Sequence, residues 1–110
     1  MHSMEESFER ALELRARSEH EFNSGRPRVA LDTVTEAIVL LRGLTPERPH
    51  VLGRALHQAA RYLLALDRAS EALPLAREAV GLAASVGEDR LRLACAATLA
   101  ACRRAMDDGR

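Results

Sequence analysis

The side chains best equipped for chemistry here are arginines. All sixteen basic residues are arginine and none is lysine. A guanidinium stays charged and can set two parallel N–H donors on one carboxylate, so the chemistry on offer is recognition of anions. Sixteen Asp and Glu residues balance them to a formal net charge of +0, which argues against a general nucleic-acid or anionic-membrane binder. The Arg103-Arg104 pair is too short for a nucleic-acid patch, and no Gly-rich phosphate loop occurs. His50 and His57 are seven residues apart, not the i, i+4 spacing with which a helix holds a metal, and no acidic residue completes a site. His20, between Glu19 and Glu21, reads as a surface residue. Cys95 and Cys102 fall on one helix with Cα atoms about 10.5 Å apart at the usual rise, beyond disulfide reach. Their Ala and Leu neighbours make them small buried hydrophobes, which fits a cytoplasmic, reducing location. A nucleophile pair of Cys102 and His57 would have to form across the fold, and packing is the better reading of Cys102. No catalytic residue, metal ligand set or cofactor motif emerges, and the expectation is a protein that is not an enzyme.

Elements that could position those arginines are helical. In a chain of 110 residues, one domain's worth, Ala and Leu make up a third, while Val, Ile, Phe, Tyr and Trp together number ten. Ala and Leu favour helix, whereas strands want β-branched and aromatic residues. An all-α fold follows. No purely apolar run exceeds five residues, far short of the roughly 20 a membrane helix needs. No basic stretch followed by an apolar segment opens the chain, so no signal peptide is expected. The Arg, Ala, Leu and Val bias matches GC-rich codons and points to a bacterial source.

Start and stop signals divide the chain into five helices. Ser3-Met4-Glu5-Glu6 has the form of a capping box. Met4, Phe8, Ala11, Arg15, Ser18 and Phe22 then follow at 4-3-4-3-4 spacing, one face with a polar middle. Gly25 ends that helix and Pro27 opens the next, whose stripe is Ala30, Val34, Ala37 and Leu41, with Gly43 as its stop. Thr45-Pro46-Glu47 is a second start signal, followed by Leu52, Leu56, Ala59, Leu63 and Leu66. Asp67 is expected as the fourth helix's N-cap, Pro74 as a kink or loosened turn within it, and Gly87 as its stop. Asp89 opens a fifth helix to about Met106, with a fraying tail.

Sliding the chain by 42 residues brings these elements into register. Glu36-Ala37 falls on Glu78-Ala79, Leu40 on Leu82, Ala30-Leu31 on Ala72-Leu73, Leu14 on Leu56 and Arg61 on Arg103. Gly25 falls on Asp67, Phe22 on Leu64, and Ser18 on Ala60 and Cys102. The stretch from Asp67 to Val80 (Asp-Arg-Ala-Ser-Glu-Ala-Leu-Pro-Leu-Ala-Arg-Glu-Ala-Val) resembles the second helix of a tetratricopeptide repeat. More closely, it is similar to the 42-residue variety of kinesin-light-chain-like and bacterial regulatory proteins. Pro49-His50-Val51 and Leu56-His57-Gln58-Ala59-Ala60 resemble that variety's first helix. The sequence departs from the pattern at Asp67, where the family prefers glycine, at His57-Gln58, which replace paired asparagines, and at Arg17 and Glu21, usually apolar.

The resemblance implies antiparallel helical hairpins, about 4–42 and 46–86, stacked as a short right-handed solenoid. A fifth helix, about 89–106, then serves as cap or interface. It further implies a concave groove lined by Leu12, Arg15, Glu19, Phe22 and Asn23, by Arg54, His57, Arg61, Leu64 and Ala65, and by Ala96, Leu99, Arg103 and Met106. Arginines with apolar spacers would suit an acidic protein segment or peptide. The fifth helix is apolar around much of its circumference, so self-association as a homodimer, or burial of this helix by a partner, is expected, with Leu91, Leu93, Leu99 and Met106 as the self-association candidates. The expected function is a non-catalytic interaction module. Alternatives are a helical regulatory segment of a bacterial signalling or transcription-control system and, third, a bundle holding a ligand or metal.

Overall fold

The computed structural model describes residues 3–44 and 49–108. Five helices account for them, with no strand among the described residues: α1 (Met4–Asn23), α2 (Pro27–Arg42), α3 (Pro49–Ala65), α4 (Ala69–Ser85) and α5 (Asp89–Asp108). The N-cap at Ser3 forms as expected, its hydroxyl accepting from the Glu6 N–H at 3.1 Å. Pro27 stands in the first turn of α2, where its missing N–H leaves no partner wanting. The Thr45-Pro46-Glu47 signal lies outside the described residues. α4 runs unbroken through Pro74, and α5 extends to Asp108, past the expected end at Met106.

Three of the turns use one device. Gly25, Asp67 and Gly87 all hold positive φ, at 81°, 60° and 70°. In each case the next residue's N–H returns to a carbonyl five residues back: Arg26 to Glu21, Arg68 to Leu63, Glu88 to Ala83. The left-handed residue closes the spent helix and reverses the chain. Asp67 is therefore not the N-cap of α4, contrary to expectation. Arg68 stands there, without a side-chain cap bond, while Asp67 occupies the left-handed position that its register partner Gly25 fills with glycine. Asp is one of the few residues with a side chain that tolerates this conformation. Gly43 caps α2 with φ −80°, so its conformational freedom is not used there.

The helix bounds keep the 42-residue register. Moved by 42 residues, α2 falls on 69–84 against an observed Ala69–Ser85, and α3 falls on 91–107 against Asp89–Asp108. Each helix packs on the next in sequence, and α3 also touches α1 and α5. We refer to α1–α2 and α3–α4, each joined by a tight turn, as the two hairpins.

Small residues let the helices close. The main core gathers Ala11 and Leu14 of α1, Ala30, Val34 and Ala37 of α2, Ala55, Leu56 and Tyr62 of α3, and Ala79, Ala83, Leu91 and Cys95 beyond them. A second cluster joins Ala60, Leu63, Ala72, Ala76 and Cys102, with Leu64 and Leu99 against it. Both cysteines are fully buried and unpaired. On α1 the buried line is Ala11, Leu14 and Ser18, whereas Met4, at the head of the expected stripe, is 54% exposed. Glu21, at a position the resemblance would have apolar, leaves its Oε1 with no hydrogen-bond partner. Between the hairpins, Arg42 donates from both Nη atoms to Glu78 at 2.8 Å.

Candidate functional site: an arginine-lined cleft

Between α1 and α3 lies a cleft of about 430 Å³, open to solvent and walled by Arg15, Glu19, Arg54, His57, Gln58 and Arg61, with Leu12 and Leu91 as apolar neighbours. Arg15 and Glu19 are four residues apart on α1, and Arg54, His57 and Arg61 recur at 3-4 spacing on α3. Each set therefore shares one helix face. On α1 the adjoining line of Ala11, Leu14 and Ser18 is buried, and on α3 the opposite face carries Ala55, Leu56 and Ala59 into the interior. Burial of the apolar stripes turns the two charged stripes toward one another.

Beneath the cleft a polar knot ties the hairpins together. Gln58, 7% exposed, accepts from Arg15 Nε at 2.7 Å and donates to Glu19 Oε2 at 3.1 Å. Its amide nitrogen also approaches the Arg15 carbonyl at 3.1 Å and the Tyr62 hydroxyl at 3.2 Å. The Tyr62 hydroxyl donates to Glu19 Oε2 at 2.7 Å and lies 3.2 Å from Ser18 Oγ, which donates to the Arg15 carbonyl. Arg61 completes the carboxylate's shell, with Nη1 3.1 Å from Glu19 Oε1. Phe22 stacks on Tyr62 at 4.7 Å between ring centroids, and the Arg61 guanidinium lies 5.4 Å from the Phe22 centroid. That placement adds a cation–π contact.

These partners set the protonation states. Burial pushes the Glu19 carboxyl up, but hydrogen bonds from Tyr62, Gln58 and Arg61 outweigh it and hold the group below its ordinary value. Burial, helped by the bond to Glu19, raises the Tyr62 phenol to about 12. Burial first, then the nearby Arg61 charge, lowers His57 and keeps it neutral at pH 7. Its Nε2 sits 2.8 Å from Thr98 Oγ1 on α5, so α3 is tied to both neighbours. Arg15 is lowered by burial and then by the Arg54 charge, yet a guanidinium keeps its proton.

The arginines are not equivalent. Arg54 reaches Glu88 at 2.9 Å and Arg61 reaches Glu19. Among the described residues Arg15 makes no ion pair: its Nε donates to a neutral amide, and neither Nη atom donates a hydrogen bond. Among the described residues, the cleft thus presents an oriented, half-buried cation whose outer fork meets no carboxylate.

Of the sequence-expected positions, the structure brings Arg15, Glu19, Arg54, His57 and Arg61 together, with Leu12 at the edge. Phe22 supports them from below through Tyr62. Asn23 is exposed at the end of α1, and Arg103 is exposed on α5; neither lines the cleft. Leu64 and Leu99 pack in the second cluster instead. Leu91 is 9% exposed in the main core, so it does not belong to an outer face of α5, where Leu93 (62%) and Met106 (39%) are open to solvent. Gln58, Tyr62 and Ser18 were not among the expected site residues. The one available signal was a hydroxyl or amide at an apolar-stripe position, since such a buried group needs a partner.

Comparison of the chain with family models, curated proteins and solved structures finds no match. Among the described residues, no helix is long and apolar enough to cross a membrane.

Proposed function

We propose that this chain is a short tetratricopeptide-like, non-catalytic module of the cytoplasm that binds an acidic protein segment or peptide in the α1–α3 cleft. The 42-residue register of helices and left-handed turns supports the repeat reading. The binding reading rests on one observation: Arg15 is fixed by Gln58 in the cleft wall while its outer fork has no carboxylate of its own. A ligand that supplies one gains a charge-assisted pair in a partly desolvated site, where such bonds are strongest. Arg54 and Arg61, already paired, add positive potential without committing a fork. Leu12 offers apolar contact beside them.

Fluorescence anisotropy with labelled hexaglutamate and hexaglutamine probes tests this. Hexaglutamate binds and hexaglutamine does not. Arg15→Gln removes a bond to a charged group, worth about 1.5–3 kcal/mol, and so weakens binding by roughly tenfold to a hundredfold. Arg17→Gln, the same charge change on an exposed part of α1, leaves binding within about twofold. Equal losses for the two variants would mean diffuse attraction and would overturn the reading. Separately, the outer face of α5, with Leu93, Ala96 and Ala97 exposed, supports self-association.

A further inference from the structure

Two of the cleft arginines are paired, and the two pairs are built differently. Glu19, which meets Arg61, is also held by the Tyr62 hydroxyl at 2.7 Å and the Gln58 amide at 3.1 Å. Taking its carboxylate away would strand buried donors, which is costly. Glu88, which meets Arg54, has no such shell. Among the described residues its carboxylate accepts one hydrogen bond, from Arg54 Nη2 at 2.9 Å. The Arg54 and Glu88 side chains are 47% and 33% exposed, so water screens this pair and can replace either half of it.

Glu88 reaches the cleft from its rim. It stands in the turn between α4 and α5, just past the left-handed Gly87, and three residues before Leu91, which lines the cleft. Its backbone is pinned on both sides, the N–H to the Ala83 carbonyl and the carbonyl to the Arg92 N–H. The side chain can therefore leave Arg54 by turning about its own bonds, with no movement of either helix. Leaving also returns its rotamer freedom. Across the cleft, burial first and then the Arg54 charge lower Arg15, so the two guanidinia feel one another. Cations this close favour anions that answer both of them. Glu88 bonds only to Arg54 among the described residues.

We propose that Glu88 is an internal stand-in for a ligand carboxylate: it holds Arg54 in the free chain and is displaced when an acidic segment sets one carboxylate on Arg15 and a second on Arg54. The proposal rests on the acidic-segment reading of the cleft and deepens it, from one anchor to two with a built-in competitor. In the free chain Arg54 lends only its potential; with Glu88 displaced it becomes the second anchor. A ligand with a single carboxylate leaves the Arg54–Glu88 pair in place, so the competitor favours segments that carry two.

Fluorescence anisotropy with labelled hexaglutamate at physiological salt tests it on the unmodified chain, Glu88→Gln, Arg54→Gln and the double variant. Both side chains are partly exposed, so the variants should fold, as circular dichroism will verify. Glu88→Gln should bind the probe about threefold more tightly, the size of an exposed ion pair that no longer has to be broken. Arg54→Gln should bind several-fold more weakly, having lost the second anchor. In the Arg54→Gln background, Glu88→Gln should change affinity by less than about 1.5-fold, because no guanidinium is left to free and the remaining charge effect is screened. An equal gain from Glu88→Gln in both backgrounds would make Glu88 a diffuse charge and overturn the stand-in, and so would no gain in the unmodified background. In either event, weaker binding by Arg15→Gln leaves the cleft reading standing. Hexaglutamate bound by neither the unmodified chain nor Glu88→Gln would overturn both.

Discussion

Removing the Tyr62 hydroxyl should loosen one hairpin from the other. That hydroxyl is the shortest donor to Glu19, at 2.7 Å, and it bridges α3 to α1 from a fully buried ring. A hydrogen bond to a charged group contributes about 1.5–3 kcal/mol. Tyr62→Phe keeps the ring stacked on Phe22, so packing is preserved and the loss is the hydroxyl's contacts to Glu19, Ser18 and Gln58, with the charged bond to Glu19 contributing most, about 2 kcal/mol. Against a total stability of roughly 5–15 kcal/mol, this is large. Glu19→Gln keeps the shape but removes the charge. Because Glu19 and Arg61 side chains are each 36% exposed, their ion pair is screened and adds only about 0–1 kcal/mol. The double variant should therefore cost less than the two singles together, with a coupling of about 1–2 kcal/mol between positions 19 and 62. Urea unfolding followed by far-UV circular dichroism measures all four corners of the cycle. The pH dependence supplies a second reading. A carboxyl held low in the folded state stabilises fully above its unfolded value and loses that contribution as pH falls through its folded value. The unmodified chain should therefore lose more stability than Glu19→Gln in the acid range below about pH 4. A coupling under about 0.3 kcal/mol, with matching acid profiles, would refute the idea that this knot holds the hairpins together.

Three further outcomes follow from single positions. A Cβ on Gly53 would meet Leu82 Cβ at 3.5 Å and Leu91 Cδ2 at 3.7 Å, ordinary contacts, so Gly53→Ala should raise stability by about 0.5–1 kcal/mol, read as a higher melting temperature. At Asp67, with φ 60°, unfolding by urea should rank Gly above Asp and Asp above Val, the valine variant losing about 1–2 kcal/mol; a neutral valine would contradict the left-handed turn. Burial raises both cysteine thiols. A disulfide dye should therefore label neither Cys95 nor Cys102 promptly until urea unfolds the chain, and prompt labelling of the native protein would contradict their burial.

The helices were legible because their signals are local. Ser3, Pro27, Gly25 and Gly87 act through bonds within a turn of their own position, and the structure uses them as the sequence implies. Asp67 misled because Asp favours both an N-cap and, less often, the left-handed region; only its register with Gly25 distinguished the two. Arg15, Glu19, Arg54, His57 and Arg61 could be gathered through the resemblance to tetratricopeptide repeats, which implies a groove whose positions recur 42 residues apart. Leu64 and Leu99 were misplaced by the same device. Register fixes which positions correspond, but an apolar side chain near the rim settles on whichever neighbour buries it, here the second cluster. The knot of Ser18, Gln58 and Tyr62 was beyond reach for a different reason. Its bonds between helices join residues 39–44 apart, and their distances exist only once the hairpins have packed.

The most direct test of the arginine-cleft account is a proton–nitrogen correlation spectrum of the labelled protein, titrated with hexaglutamate at physiological salt. Saturable shifts should concentrate on the backbone of Leu12–Glu19 and Arg54–Arg61 and on the Arg15 Nε–H, and should vanish in Arg15→Gln. Small shifts spread over all the exposed arginines, disappearing together as salt rises, would show that the cleft is no site.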